Sequence, residues 1–215
     1  MFDFLRSNKK QPSHPRLSEA NYQLSIVNYQ LKLSSQHWYP IRVAYGRDER
    51  MLKLKEQLDA LGIENFLPLR SIYERKAQAE YEKKALPAIH GLIFVRSSQE
   101  RLTELKMTRS EFAPMHYMMN RLSDSAGNHI LTVPDRQMEN FIQVASKQDE
   151  RVQYLEYTDF LAKPGKRVRI TDGDFKGAEG TIKRIKKRQC VVVQIEGLAA
   201  VAITFVPTAW LEPIE

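Results

Sequence analysis

Gly165-Lys166-Arg167-Val168-Arg169-Ile170-Thr171-Asp172-Gly173-Asp174-Phe175-Lys176-Gly177-Ala178-Glu179-Gly180-Thr181-Ile182 is the stretch on which the fold turns. A strand carries Val168 and Ile170 inward, and a turn follows that needs glycine at 173 and 177, where the backbone takes a positive φ. Gly180 then lets a second strand cross closely. Phe175 sits at the turn tip, either as a plug for one end of a barrel or as a contact residue. Beyond the turn, Val191-Val192-Val193, Ile195 and Val201 to Val206 are dense in β-branched residues, and Gly197 marks another turn. About fifty residues of short strands and glycine turns predict a small β-barrel over 165–215.

Upstream the pattern changes. Residues 148–164 are polar and mixed, ending at Lys163-Pro164-Gly165, and read as a linker with an acidic balance. Residues 37–147 alternate strand and helix signals. Trp38 to Tyr45 alternates at the strand period. Asp48 is placed to cap a helix with Met51, Leu54, Leu58 and Leu61 on one face, and Gly62 supplies its left-handed stop. Ile63–Tyr73 reads as a strand interrupted by Pro68, and Glu74–Lys84 as a charged connection. Ala88–Val95 reads as a buried strand, and Ser98 caps a helix bearing Leu102 and Leu105. Phe112–Met119 and His129–Val133 read as strands around a Ser123–Asn128 turn, and Pro134 opens a last helix with Met138, Phe141, Ile142 and Ala145. The order β-α-β-β-α-β-α is that of a ferredoxin-like α/β sandwich, so the class is α+β. Residues 1–36 form an extension: a polar arm, then a near-repeat of Asn-Tyr-Gln-Leu at 21–24 and 28–31. Ala20, Leu24, Val27 and Leu31 favour a short helix capped by Ser18 over a strand.

The chain has 215 residues and a formal net charge of +7. The positive excess is spread over 1–36, 37–147 and 165–215, which suits an acidic polymer or an acidic protein surface as partner. No apolar run is long enough to span a membrane, and the N-terminus is too polar for a secretory signal, so a cytoplasmic protein is expected. Cys190 is the only cysteine, which excludes an internal disulfide and multi-cysteine zinc sites. His14, His37, His90, His116 and His129 are widely separated and show no metal spacing. No hydrolase, zinc-protease or nucleotide-binding motif occurs, so neither a catalytic residue, a cofactor nor a metal is expected. Asp172 and Asp174 would be the pair for an enzymatic reading, though a glycine turn usually holds its acids in solvent.

The 165–182 segment resembles the KOW motif of NusG-type transcription factors and several ribosomal proteins. Trp38-Tyr39, Arg42…Tyr45-Gly46-Arg47-Asp48-Glu49, Gly62-Ile63-Glu64…Phe66-Leu67-Pro68 and Ile89-His90-Gly91-Leu92-Ile93-Phe94-Val95 look like successive blocks of the NusG N-terminal (NGN) domain. The resemblance spans about residues 37–215 in the right order, and implies an NGN domain joined by a linker to an SH3-like KOW barrel. Ile89-His90-Gly91-Leu92 stands where the family usually carries an aromatic-Pro-Gly-Tyr block, and Asp174 replaces its usual proline. With the N-terminal extension, these departures are similar to the specialised UpxY-type paralogues of Bacteroides-like bacteria, which act on capsular polysaccharide operons.

The resemblance implies a monomeric antitermination and elongation factor that docks on the clamp helices of RNA polymerase. Carried over by position, Tyr39, Phe66, Pro68, Ile89 and Leu92 are the docking candidates, with core packing as the competing role for Phe66 and Ile89. Thr103 and Glu104 fall where relatives touch the opposing gate loop. Arg42, Tyr45, Arg47, Arg50 and Lys53 are candidates for the displaced non-template DNA strand, or else a solvated basic face. Lys183, Arg184, Lys186, Lys187 and Arg188 form a basic hairpin that either grips nascent RNA or is a solvated turn. Phe175 falls where a termination factor or ribosomal protein would meet the barrel. The rival readings are a general KOW protein that binds RNA or the ribosome without polymerase, and a small basic enzyme.

Overall fold

In the computed structural model, residues 27, 35–75, 81–120, 129–147, 149–155 and 165–214 are described. The extension's helix expectation lies outside them except for Val27, which is helical and exposed. The first unit runs β1 (His37–Val43), α1 (Asp48–Ala60), β2 (Asn65–Phe66), β3 (Leu69–Arg75), β4 (Tyr81–Pro87), β5 (Leu92–Ser97) and α2 (Gln99–Thr108). It continues with β6 (Met115–Tyr117), β7 (Met119–Asn120), β8 (His129–Ile130) and α3 (Asp135–Ala145). Its main sheet is antiparallel in the order β2-β5-β1-β6, the ferredoxin-like order once the β3–β4 and β7–β8 hairpins are set aside.

Alternation along the strands divides this sheet into two faces. Tyr39, Ile41 and Val43 of β1, with Ile93 and Val95 of β5, point to one side. There they meet Met51, Leu54 and Leu58 of α1 and Leu102 of α2. Trp38, Leu92 and Phe94 point to the other side, against Met138, Phe141 and Val144 of α3.

The second unit comprises β9 (Val152–Tyr154), β10 (Arg167–Ile170), β11 (Glu179–Ile185), β12 (Arg188–Ile195), β13 (Ala199–Thr204), a 3-10 turn (Thr208–Trp210) and β14 (Leu211–Pro213). Its antiparallel order is β14-β10-β11-β12-β13-β9. β12 and β13 are apolar almost throughout because both faces are covered. Val191, Val193 and Ile195 belong to the cluster that includes α3, whereas Cys190 and Val192 pack with Ala200 and Ala202.

The two units pack on one another through α3, which lies between the main sheet and β12. Polar contacts border this apolar junction. Asn140 donates from Nδ2 to the Glu179 carbonyl at 2.7 Å and accepts at Oδ1 from the Glu179 N–H at 2.9 Å. It thereby satisfies both backbone groups of a half-buried strand start, as a neighbouring strand would. Arg136 donates to the Glu179 carboxylate at 2.9 Å, and Gln143 donates to the Lys176 carbonyl at 2.8 Å.

Several elements differ from the sequence reading. Arg47, not Asp48, is the N-cap of α1, with no side-chain cap bond, and Asp48 sits in the first turn. A carboxylate there still complements the helix dipole. Ser98 does cap α2, accepting from the Arg101 N–H at 3.2 Å. Phe112 is buried, but in a turn rather than a strand, and pairing resumes only at Met115. The charged connection at 74–84 carries most of the β3–β4 hairpin's outer half. Within the expected linker, Val152–Tyr154 pairs with β13 and extends the barrel sheet. Gly173 and Gly177 have φ of +76° and +88°, the left-handed region expected of that turn.

Candidate functional site

The seven docking candidates separate into two places. Phe66 pairs with Phe94 across β2–β5 and meets the Phe141 ring edge-on, centroids 6.1 Å apart. Phe66 and Ile89 are half-buried at the margin of the cluster containing α3, and Leu92 lies within it at 1% exposure. Pro68 is buried, its carbonyl accepting from the Ala88 N–H at 2.8 Å, which ties β2's exit to the turn that carries Ile89.

Tyr39 lies on the opposite face of the sheet, 2% exposed, with its ring edge-on to Tyr117 at 5.6 Å. Burial pushes both phenols up, helped at Tyr39 by its neighbour Tyr117. The Thr103 hydroxyl stands 3.2 Å from the Tyr117 hydroxyl and donates to the Gln99 carbonyl. Glu104, next along α2, is exposed. Lys106 sits over the Tyr117 ring at 4.5 Å, and its partial burial lowers its pKa. Tyr39 and Leu92 are therefore core residues here, and Phe66 and Ile89 are the apolar members of the set that reach a surface margin.

The proposed strand-binding residues do converge. Tyr45 is 86% exposed with φ +52°, in the tight turn between β1 and α1. Tyr45, Arg47, Arg50 and His90 line one open depression with Glu49. Arg50 and Lys53 also line an adjoining cleft of about 210 Å³. Arg42 donates to the His90 carbonyl at 2.9 Å, and Arg50 to the Ala44 carbonyl at 3.3 Å. Their guanidinium groups are thus partly committed to holding the turn. Gly46 and Gly91 make the crossing possible: a Cβ on Gly46 would lie 2.8 Å from the Gly91 Cα. The depression's floor is therefore braced against the Ile89–Gly91 turn, and consecutive residues Ile89 and His90 serve the apolar margin and the basic depression respectively.

In the barrel, Lys183 leaves the basic hairpin set. It is 8% exposed and stands opposite Cys190, because strand alternation turns it away from Arg184. Arg184, Lys186, Lys187 and Arg188 are exposed. Lys186 and Lys187 both have positive φ, +47° and +69°, as a two-residue type I′ turn requires. Arg188 lies over the Phe205 ring at 5.4 Å, and Phe205 is 69% exposed, so an aromatic residue joins this patch that the basic run in the sequence does not reveal.

Phe175 is 3% exposed. Lys147 and Arg151 stand over its ring at 5.2 and 5.0 Å, so it plugs the junction rather than offering a contact in this arrangement. Arg151 also joins Asp149 and Asp174, and its side-chain and backbone hydrogen bonds to Asp149 hold that carboxyl below the usual carboxylate range. Asp172 accepts from the Gly173 N–H at 2.8 Å. The two turn acids therefore serve the turn and the junction. Burial raises the Cys190 thiol pKa. Among the described residues no cluster of His, Cys, Asp or Glu is arranged to hold a metal, and no helix is long and apolar enough to cross a membrane.

Two family models match the chain. The model described as transcription termination factor nusG covers residues 36–142, and the KOW motif model covers residues 164–196. A search of curated proteins gave no match. The first match spans the ferredoxin-like unit from β1 into α3, and the second spans β10 to β12 with the glycine turn between them. The chain belongs to the NusG family of transcription factors, with an NGN domain followed by a KOW domain.

Proposed function

We propose that the chain is a specialised antitermination and elongation factor, of the UpxY type, that docks on the clamp of RNA polymerase in the cytoplasm and suppresses pausing and termination at capsular polysaccharide operons. The observation that carries this reading is the adjacency at Ile89 and His90: an apolar margin beside a basic depression on one rigid turn. A factor that bridges a protein helix pair and a displaced DNA strand needs those two surfaces side by side. Apolar side chains anchor the protein contact. Arg and Lys neutralise phosphates while Tyr stacks on a base.

In this mechanism Phe66 and Ile89 enter the clamp contact, and Leu92 and Pro68 fix the strand and turn that present them. Thr103 and Glu104 approach the opposing side of the channel, with Tyr39 supporting α2 from beneath. Arg47, Arg50, Lys53 and Tyr45 hold the non-template strand, while Arg42 anchors the turn. Bridging keeps the clamp closed, which disfavours the paused state. Arg184, Lys186, Lys187 and Arg188 take nascent RNA. Phe175 becomes available to a termination factor or ribosomal protein once the barrel swings off α3 and Lys147.

The test is co-purification of polymerase with the tagged full chain, wild type beside Ile89→Asp. Ile89 is half-buried, so the variant is checked by thermal melting. Wild type is expected to recover polymerase, and a cooperatively melting Ile89→Asp to lose it by tenfold or more. Recovery of ribosomes without polymerase would instead support a general KOW-type RNA- or ribosome-binding protein.

A further inference from the structure

The β3–β4 hairpin stands apart from the main sheet, and its register sorts its side chains by chemistry. Arg75 pairs with Tyr81 and Tyr73 with Lys83, so these four share one face; Glu74 pairs with Glu82 and Ile72 with Lys84 on the other. Tyr73 and Tyr81 are 64% and 67% exposed, and Arg75 and Lys83 are exposed too. Opposite charges placed directly across a ladder stabilise it and like charges oppose it. A register chosen for pairing alone would set the glutamates against the cations. Here Arg75 and Lys83 each face a tyrosine, and both acids lie on the far side, where Lys84 approaches Glu74 at 3.6 Å. Among the described residues neither Arg75 nor Lys83 has an ion-pair partner, and nothing covers the tyrosines.

We propose that this Tyr73–Arg75–Tyr81–Lys83 face is a stacking platform for single-stranded DNA. Two tyrosines on a diagonal, roughly 7 Å apart at their backbones, offer π-faces to successive bases, and the flanking cations meet the phosphates between them. Duplex DNA keeps its base faces stacked internally and offers the rings nothing to stack on. The chain leads from the hairpin into the basic depression: β4 ends at Pro87, three residues before His90, which lines it. On this proposal a strand held by Arg47 and Arg50 runs along β4 to the tyrosines at its outer end, six residues or about 20 Å beyond Pro87. The choice of DNA rests on the reading of that depression as a DNA contact; the stacking chemistry does not.

The experiment is fluorescence anisotropy of a labelled 20-nucleotide oligo-dT with the full chain at low salt. Tyr73→Ala and Tyr81→Ala are each expected to weaken binding by about fivefold or more, and Tyr73→Phe with Tyr81→Phe to retain it. Arg75→Ala with Lys83→Ala should lower the magnitude of the logarithmic salt slope by about 1.4. All these positions are exposed, and unchanged melting curves will show that the variants fold. Wild-type affinity in the double tyrosine-to-alanine variant overturns the proposal, and so does tighter binding of oligo-U or of a duplex than of oligo-dT. Arg47→Ala with Arg50→Ala separates the two readings. Loss there alone removes the hairpin and leaves the depression, whereas loss in the tyrosine variants alone leaves the hairpin and removes the depression.

Discussion

At the scale of single residues, Gly180 shows how far one missing Cβ constrains the barrel. A Cβ there would lie 2.6 Å from the Val192 carbonyl oxygen and 2.7 Å from Val191 Cγ1, both in a strand buried on its two faces. Neither atom can retreat without breaking the β11–β12 ladder. Gly180→Val is therefore expected to cost about 1–3 kcal/mol, read as a lowered midpoint in denaturant unfolding. The requirement was legible in the sequence, because a glycine inside an otherwise β-branched strand has few other uses. The environments of Tyr39 and Lys183 were not. Alternation shows that a residue points to one face or the other, but not which face is later covered by a helix. Tyr39 lies beneath α2 and Lys183 is buried opposite Cys190, and only the assembled layers determine that.

At the scale of elements, the strands that the sequence concealed are those that lack its usual signal. β4 reads Tyr-Glu-Lys-Lys-Ala-Leu-Pro, and its outer half shows charge rather than apolar alternation. It is a strand because its backbone pairs with β3 throughout seven residues, not because it buries a face. β9 is three residues long, too short for any periodicity, and is recognised only by its partner. The core strands β1, β5 and β12 and the apolar faces of α1 and α3 were legible because burial imposes a period on them. β9 carries a prediction. A fragment beginning at residue 165 lacks it and bares the outer edge of β13 at Val201–Ile203, where an unpaired ladder offers itself to another chain. That fragment is expected to self-associate in a concentration-dependent way by sedimentation velocity, whereas one beginning at 149 stays monomeric.

At the scale of the whole molecule, the polar border of the junction between the two units centres on Glu179. Hydrogen bonds from Arg169 and then Arg136 outweigh partial burial and lower its pKa. A carboxyl with a depressed pKa contributes fully above the ordinary glutamate range, about pH 4.3, and loses that contribution as pH falls through its folded value. Arg169 stays with Glu179 if the units part, but Arg136 does not. The closed arrangement is therefore expected to hold at neutral pH and to loosen as pH falls below the ordinary glutamate range. The sign is read as a rise in radius of gyration by small-angle scattering, a rise that Glu179→Gln should blunt. Asn140→Ala with Arg136→Glu is expected to open the molecule at neutral pH while each unit keeps its own melting transition. A compact double variant would place the holding force in the apolar contact of α3 with β12 instead.

Because β9 belongs to the barrel, only residues 146–151 run between the end of α3 and the second unit. Fully extended, six residues reach about 20 Å. The barrel can therefore swing off α3 but cannot wander, and it remains at an effective local concentration of order millimolar. Any protein that takes the α3 side of the sheet must outcompete a resident neighbour on a short leash, so its apparent affinity is set by the strength of that internal contact as much as by its own.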